Sequence, residues 1–140
     1  MQQTPVKDWM KDLVIFIDPE ATVNEGLSLM RHRYMASVIV NKTESNPEYG
    51  IVTSMDICDK IVAQGFDPSK TRIREIMVSP VFTVPATTTM KECAAKMKQL
   101  RVHHLPVADD HGMIIGMISS TDFLVVAEAM GTDFKERSLK

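Results

Sequence analysis

The fold is decided by two segments of the sequence, Gly50-Ile51-Val52-Thr53-Ser54-Met55-Asp56 and Gly116-Met117-Ile118-Ser119-Ser120-Thr121-Asp122. Each stands where an apolar run ends, which predicts a strand that leads directly into a helix. A hydroxyl residue followed three positions later by an acid is a common start of a helix. The glycine recurs at the same place, and we interpret it as backbone that a ligand approaches, because a side chain would block that approach.

The two segments belong to a longer internal repeat. Shifting the sequence by 67 residues places the first half on the second, and a one-residue loss in a loop then changes the shift to 66. The matched pairs include Thr22 with Thr89, Glu25 with Glu92, Met30 with Met97, and Asp56 with Asp122. An ordered series with a single slip is hard to produce by chance, so we divide the chain into repeats at residues 1–70 and 71–140.

Each repeat predicts the same elements in the order β-α-β-β-α, after a short helical turn. The predicted strands are Leu13 to Ile17, Ser37 to Val40, Tyr49 to Val52, Pro80 to Val84, His104 to Val107 and Met113 to Ile118. The first helix of each repeat begins at Thr22-x-x-Glu25 or Thr89-x-x-Glu92, and Leu27, Met30 and Tyr34 lie on one face of the earlier one. The closing helices are expected from about Met55 to Gln64 and Thr121 to Met130.

A single repeat is too small to bury a large fraction of its surface alone. We therefore expect an α/β (α+β) fold in which the two β-α-β-β-α repeats pack about a pseudo-two-fold axis, with a cleft between them. The composition is ordinary for a globular protein, with 44% hydrophobic and 24% charged residues. Cys58 and Cys93 form no ligand cluster and are predicted to be small buried hydrophobes.

The net charge of -2 and the mixed charges argue against nucleic-acid binding. No apolar stretch approaches the length of a membrane span, and the first residues do not read as a signal peptide, so we expect a cytoplasmic protein without membrane contact. The four histidines lack ligand spacing, and we expect no metal site. No nucleophile or phosphate-loop motif is present, and we expect no enzymatic activity.

The aspartate of each segment has two interpretations that the residues alone leave open. As the third residue of a helix it completes a cap and complements the helix dipole. A carboxylate at a helix start can also accept hydrogen bonds from a vicinal diol such as that of ribose, while free N–H groups there suit phosphate oxygens. The recurrence of the motif in both halves favours the second role in addition to the first.

The duplicated pattern resembles the CBS domain, named for cystathionine β-synthase, and a tandem pair of such domains is called a Bateman module. The resemblance covers about residues 4–130. It rests on the Val/Ile-x-x-x-Met opening, the Thr-Val-x-Glu and Thr-Met-x-Glu helix starts, Leu105-Pro106-Val107, and both Gly-x-x-Ser/Thr-x-x-Asp segments. It implies an adenosyl ligand such as AMP, ADP, ATP, S-adenosylmethionine or NAD in the cleft, with no further cofactor required.

The resemblance also implies roles for individual residues. Asp56 and Asp122 take the ribose, with Thr53 and Ser119 beside them. Phosphate candidates are His103, His104, Ser37, Ser120 and Thr121, and adenine candidates are Val14, Ile15, Val81, Phe82 and Pro106. Arg33, Arg101 and Lys60 are weaker phosphate candidates, for which exposed helix charge is the competing interpretation. Ala36-Ser37 stands where the second repeat has His103-His104, so we expect two clefts of unequal phosphate affinity.

The function predicted from these features is a regulatory module that senses an adenosyl ligand and signals to a partner protein. Apolar residues on more than one face of the closing helices suggest a homodimer; they include Ile57, Ile61, Phe123 and Leu124. The alternative is a ligand-free dimerisation or protein-interaction module with the same fold. An adenosyl compound that raises the melting temperature distinguishes the two.

Overall fold

The computed structural model describes residues 2–33 and 35–138, with side chains up to residue 132. Tyr34, predicted on the face of the first helix, lies outside the described residues. Contacts divide the chain into two compact units. The central unit is Val14–Val81, and the terminal unit combines the chain up to Leu13 with the chain from Phe82 onwards. Each unit thus holds the sheet of one repeat and the opening segment of the other, so the boundary at residue 70 remains a prediction about the sequence repeat.

The central unit contains one three-stranded sheet and the helices around it. Its elements are β1 (Phe16–Ile17), α1 (Val23–His32), β2 (Ser37–Val40), β3 (Gly50–Thr53), α2 (Ser54–Asp56) and α3 (Ile73–Ile76). Helix α2 continues as π-helical turns over Ile57–Val62. Strand β1 runs parallel to β2, and β2 runs antiparallel to β3, with Val40 opposite Gly50. This is the predicted β-α-β-β-α order, so Asp56 lies just beyond the end of β3.

The terminal unit repeats the same plan. A 3-10 turn (Val6–Asp8) is followed by β4 (Val84–Pro85), α4 (Met90–Leu100), β5 (His104–Ala108), β6 (Ile114–Ser119) and α5 (Asp122–Ser138). Strand β4 is parallel to β5, and β5 is antiparallel to β6, with Val107 opposite Gly116. The α/β fold class with two β-α-β-β-α repeats is therefore confirmed. Asp122 begins α5 directly after the sheet.

Both first helices begin as their capping residues predict. The Thr22 hydroxyl accepts a hydrogen bond from the Glu25 backbone N–H at 3.1 Å, and Thr89 accepts one from Glu92 at 3.1 Å. One orphan N–H of each helix is thereby satisfied. The buried faces of the helices pack on the sheets and form one apolar core in each unit. The core of the central unit consists of Ile17, Val23, Met30, Val38, Val40, Val52, Ile61, Ile73 and Ile76. The core of the terminal unit consists of Val6, Val84, Met90, Cys93, Met97, Leu105, Val107, Ile118 and Val126.

Several elements differ from the sequence prediction. Strands β1 and β4 have only two residues each, because only those residues pair with the neighbouring strand. Helix α5 does not end near Met130 but continues to Ser138, since Gly131 is tolerated inside it and no proline follows. The helix after β3 changes to π-helical turns immediately after Asp56, which its sequence does not signal.

The two cysteines have different environments. Cys93 is fully buried in the terminal core, and burial raises the pKa of its thiol to about 11. Cys58 lies on the π-helical turns and is exposed, so the prediction that it is a buried hydrophobe is wrong. Its neighbour Ile57 is only partly buried, which shows that the inward-facing position of this helix passes to Ile61.

We expect a thiol-reactive chromogenic disulfide to modify one cysteine rapidly in the native protein and two after denaturation. The thiolate is the nucleophile, so a buried thiol with a raised pKa reacts slowly while an exposed one reacts readily. Stopped-flow absorbance gives both the number of thiols and the rate. Cys58→Ser should abolish the fast phase, whereas a fast phase that persists in this variant would contradict the burial of Cys93.

None of the helices in the described part of the chain combines the length and the hydrophobicity that crossing a membrane requires.

Candidate functional site

In the terminal unit, Asp122 is held in the first turn of α5. Its Oδ2 accepts a hydrogen bond from the Ser119 backbone N–H at 2.8 Å and lies 3.3 Å from the donating Ser119 hydroxyl. The Ser119 hydroxyl is also 2.8 Å from the Thr121 hydroxyl. One carboxylate oxygen is therefore engaged in a helix cap, and Oδ1 remains for another partner. The capping interpretation is confirmed, and the ribose role stays a prediction.

In the central unit, Asp56 repeats this arrangement. Its Oδ2 accepts a hydrogen bond from the Thr53 backbone N–H at 2.8 Å and lies 3.3 Å from the Thr53 hydroxyl. The side chains of Asp56 and Asp122 are 11% and 12% exposed. The duplicated sequence thus produces two nearly identical carboxylates, each fixed by the strand end that precedes it.

Each carboxylate also has a lysine, which the motif did not predict. Lys60 Nζ lies 3.0 Å from Asp56 Oδ1, one helical turn along the same helix. Lys11 Nζ lies 3.6 Å from Asp122 Oδ1 and reaches it from the segment before the first repeat's strand. Lys60 is therefore a partly exposed helix charge whose ammonium is paired, and its role toward phosphate stays a prediction. Its spacing of four from Asp56 is a sequence signal for this pair, whereas nothing in the sequence points to Lys11.

The recurring glycine has a packing explanation. A Cβ at Gly50 would lie 2.9 Å from Met77 Sδ and 3.3 Å from the Val78 carbonyl oxygen, and one at Gly116 would lie 3.1 Å from the Lys11 carbonyl oxygen and collide with Met10. The segments that cover these glycines also pair with the strands that contain them. Val78 pairs with Ile51 of β3, and Lys11 pairs with Met117 of β6. The interpretation that ligand access requires the glycine is corrected: the chain itself fills this space.

The phosphate candidates fall in different places. His103 and Ser120 line a pocket together with Lys98 and Arg101, at the end of α4 and the start of α5. The equivalent pocket of the central unit is lined by Arg31, Ala36 and Ser54. The basic lining is therefore richer in the terminal unit, but Asp56 and Asp122 line neither pocket, and the difference in phosphate affinity stays a prediction. Arg33 and Arg101 are exposed, and Arg101 ends α4 with a left-handed backbone at φ 56°.

The remaining phosphate candidates are less available to a ligand. Ser37 is only 3% exposed, which argues against a contact with phosphate. The Thr121 hydroxyl is exposed but hydrogen-bonded to Ser119. His104 is half-buried at the start of β5, and burial lowers the pKa of its imidazole. His103 and Lys11 lower this pKa further, while Asp122 acts against them. His104 is therefore neutral at physiological pH, so its imidazole can form hydrogen bonds but carries no charge.

The lowered pKa of His104 predicts a pH dependence of stability. The folded state binds the proton less readily than the unfolded state, so the free energy of unfolding falls as the pH drops through the ordinary histidine pKa of about 6.5, and it stops falling below the folded pKa. Urea unfolding between pH 8 and pH 5 measures this slope. His104→Gln should flatten it, and an unchanged slope in that variant would show that other groups cause it.

The adenine candidates also divide. Val14, Ile15 and Val81 are half-buried, and Phe82 is 61% exposed. Pro106 is fully buried in the middle of β5, which argues against a contact between its ring and adenine. Among the described residues, no three His, Cys, Asp or Glu side chains converge as metal ligands would.

Comparison with protein families addresses the repeat directly. The family model described as the CBS domain matches twice, over residues 6–63 and 73–129. The chain belongs to the CBS domain family. Two matches in tandem make it a CBS pair, and the matched ranges include Asp56 and Asp122 with their caps.

Three proteins of known sequence or structure resemble most or all of the chain. An uncharacterised protein, MK0525, of Methanopyrus kandleri is 30% identical over 140 residues, which is all of this chain and 71% of that protein. A hexameric CBS-CP12 protein from bloom-forming cyanobacteria has a TM-score of 0.82 at 31% identity, over 89% of this chain and 68% of its own. The CBS domain pair of protein MJ0100, solved with 5′-methylthioadenosine and S-adenosylmethionine, has a TM-score of 0.78 at 26% identity. The match covers 91% of this chain and 98% of that one.

Proposed function

We propose that this CBS pair is a regulatory module that binds an adenosyl ligand through a carboxylate at a helix start. The observation that carries the proposal is the capped carboxylate with one uncapped oxygen, which occurs in both units. Such an oxygen can accept a ribose hydroxyl, and a charge-assisted hydrogen bond of this kind is about twice as strong as a neutral one. The MJ0100 pair, solved with two adenosyl compounds, supports this ligand class.

The proposed mechanism is a shift of population rather than a reaction. Both aspartates perform the same capping role, so the proposal assigns them no division of labour between acid and base. A ligand changes the conformational equilibrium only to the extent that it binds one state more tightly. The output then passes to a partner protein that recognises the favoured state.

A second candidate function is assembly without a ligand. Large apolar side chains are exposed on the closing helices of both units; they are Met55, Val62, Leu124 and Val125, between 54% and 73% exposed. Such surface suits a protein interface. A homodimer is compatible with the sensing function as well, so the two candidates differ only in ligand binding.

Differential scanning fluorimetry of ligand-free protein tests the proposed function. AMP, ATP, S-adenosylmethionine and NADH are added one at a time over a range of concentrations. A ligand that binds only the native state raises the melting temperature in proportion to the logarithm of its concentration above Kd. If none of these compounds shifts the melting temperature of protein shown to carry no nucleotide from purification, the sensing function is excluded and assembly without a ligand remains.

A further inference from the structure

We propose that Lys60 determines which repeat binds the ligand, by occupying Asp56 and leaving the terminal unit as the adenosyl site. This inference rests on the proposed function, since it concerns the same two carboxylates. It adds a selectivity-determining residue that lies outside the Gly-x-x-Ser/Thr-x-x-Asp motif.

The Lys60 ammonium is fixed by two acceptors. It lies 3.0 Å from Asp56 Oδ1 and donates a hydrogen bond to the Ile76 carbonyl oxygen at 2.8 Å. The second bond joins the π-helical turns to the end of α3, so the ammonium is held by a carboxylate on its own helix and by a carbonyl of another helix. The ammonium also neutralises the carboxylate that would attract a diol. A ribose hydroxyl reaching Oδ1 must compete with this anchored ion pair.

The corresponding lysine of the terminal unit is held more weakly. Lys11 Nζ is 3.6 Å from Asp122 Oδ1, beyond the distance of a good hydrogen bond, and its side chain is 58% exposed against 41% for Lys60. Within the described residues, its ammonium contacts no second acceptor. An exposed ion pair of this kind contributes little because water and salt screen it. Asp122 Oδ1 is therefore the more accessible of the two acceptors.

Neither lysine has a counterpart lysine in the other repeat. By the shift of 66 residues, the counterpart of Lys60 is Val126, which is buried in the terminal core. By the shift of 67 residues, the counterpart of Lys11 is Val78, which is exposed. Two otherwise equivalent carboxylates thus receive their lysines from different elements, and only the central one receives an anchored lysine.

Isothermal titration of ligand-free protein with AMP, ATP and S-adenosylmethionine tests the inference through stoichiometry. The wild type should bind one ligand per chain, and Asp122→Asn should weaken this binding about tenfold to a hundredfold. Lys60→Met should bind two, because release of Asp56 makes its affinity about tenfold to a hundredfold higher. Lys60→Gln keeps a donor for the Ile76 carbonyl without the charge and provides a second variant if Lys60→Met is too unstable. Lys70→Met, which removes an exposed lysine of the central unit that lies outside the site, is the matched control and should leave one ligand per chain at the wild-type affinity.

The outcomes separate this inference from the proposed function. A second ligand in the Lys60 variants that disappears in Lys60→Met/Asp56→Asn supports the inference. One ligand per chain in both wild type and Lys60 variants overturns it while the proposed function stands, as does a wild type that binds two ligands equally. Absence of binding in every variant, all shown to be folded by circular dichroism, overturns both.

Discussion

Replacing Asp122 by Asn is expected to weaken adenosyl binding about tenfold to a hundredfold, the equivalent of a charge-assisted hydrogen bond of roughly 1.5–3 kcal/mol. Asn keeps the shape of the side chain and an oxygen that can accept from the Ser119 N–H, so the start of α5 should remain intact. It removes the negative charge that makes Oδ1 a strong acceptor. Titration calorimetry with the ligand that gives the largest thermal shift measures the change in Kd.

The matched control is Asp110→Asn, which removes one negative charge from the exposed loop between β5 and β6. Because that carboxylate lies outside the motif, Kd should remain as in the wild type. A loss of affinity in both variants would mean that net charge, and not the capped carboxylate, governs binding. Equal affinity in wild type and Asp122→Asn would remove the ribose role from Asp122.

Gly116→Ala is expected to destabilise the protein by about 1–3 kcal/mol, as overpacking of a tight site does. The added Cβ would lie 2.9 Å from Met10 Cγ and 3.1 Å from the Lys11 carbonyl oxygen. The methionine can move, but the backbone carbonyl takes part in the pairing of Lys11 with Met117. We therefore expect the melting temperature to fall by several degrees.

Gly131→Ala provides the opposite expectation within the same unit. This glycine lies inside α5, and a Cβ there meets no atom within 4 Å among those described. Alanine should stabilise the helix by about 0.5–1 kcal/mol because it loses less backbone entropy on folding. If thermal unfolding showed Gly116→Ala to be as stable as Gly131→Ala, the packing explanation of the motif glycine would be wrong.

Most of the fold could be predicted because the same sequence pattern occurs in both halves of the chain. The capping pairs at Thr22 and Thr89 and the matched strand ends fix the same β-α-β-β-α order in both halves. The two-residue strands could not be predicted, since the apolar runs before them are longer than the parts that pair. The π-helical turns after Asp56 could not be predicted either, because six residues are too few for hydrophobic periodicity to distinguish a π-helix from an α-helix.

The site was predicted less completely than the fold. The motif identified Asp56, Asp122 and their hydroxyl partners, whose contacts are local in sequence. Lys11 and the crossing methionine Met10 come from far along the chain, so periodicity and spacing give no access to them. The sequence also does not reveal what lies against the motif glycines. It shows that space is needed there, but not that the chain itself and not a ligand fills it.

Native mass spectrometry of freshly purified protein tests the central claim most directly, because it weighs the chain, its bound ligand and any dimer together. We expect the wild type to carry an adenosyl compound, or to take one up from a mixture of AMP, ATP, S-adenosylmethionine and NADH, and Asp122→Asn to lose it. A wild type that keeps its ligand-free mass throughout that mixture would contradict the account.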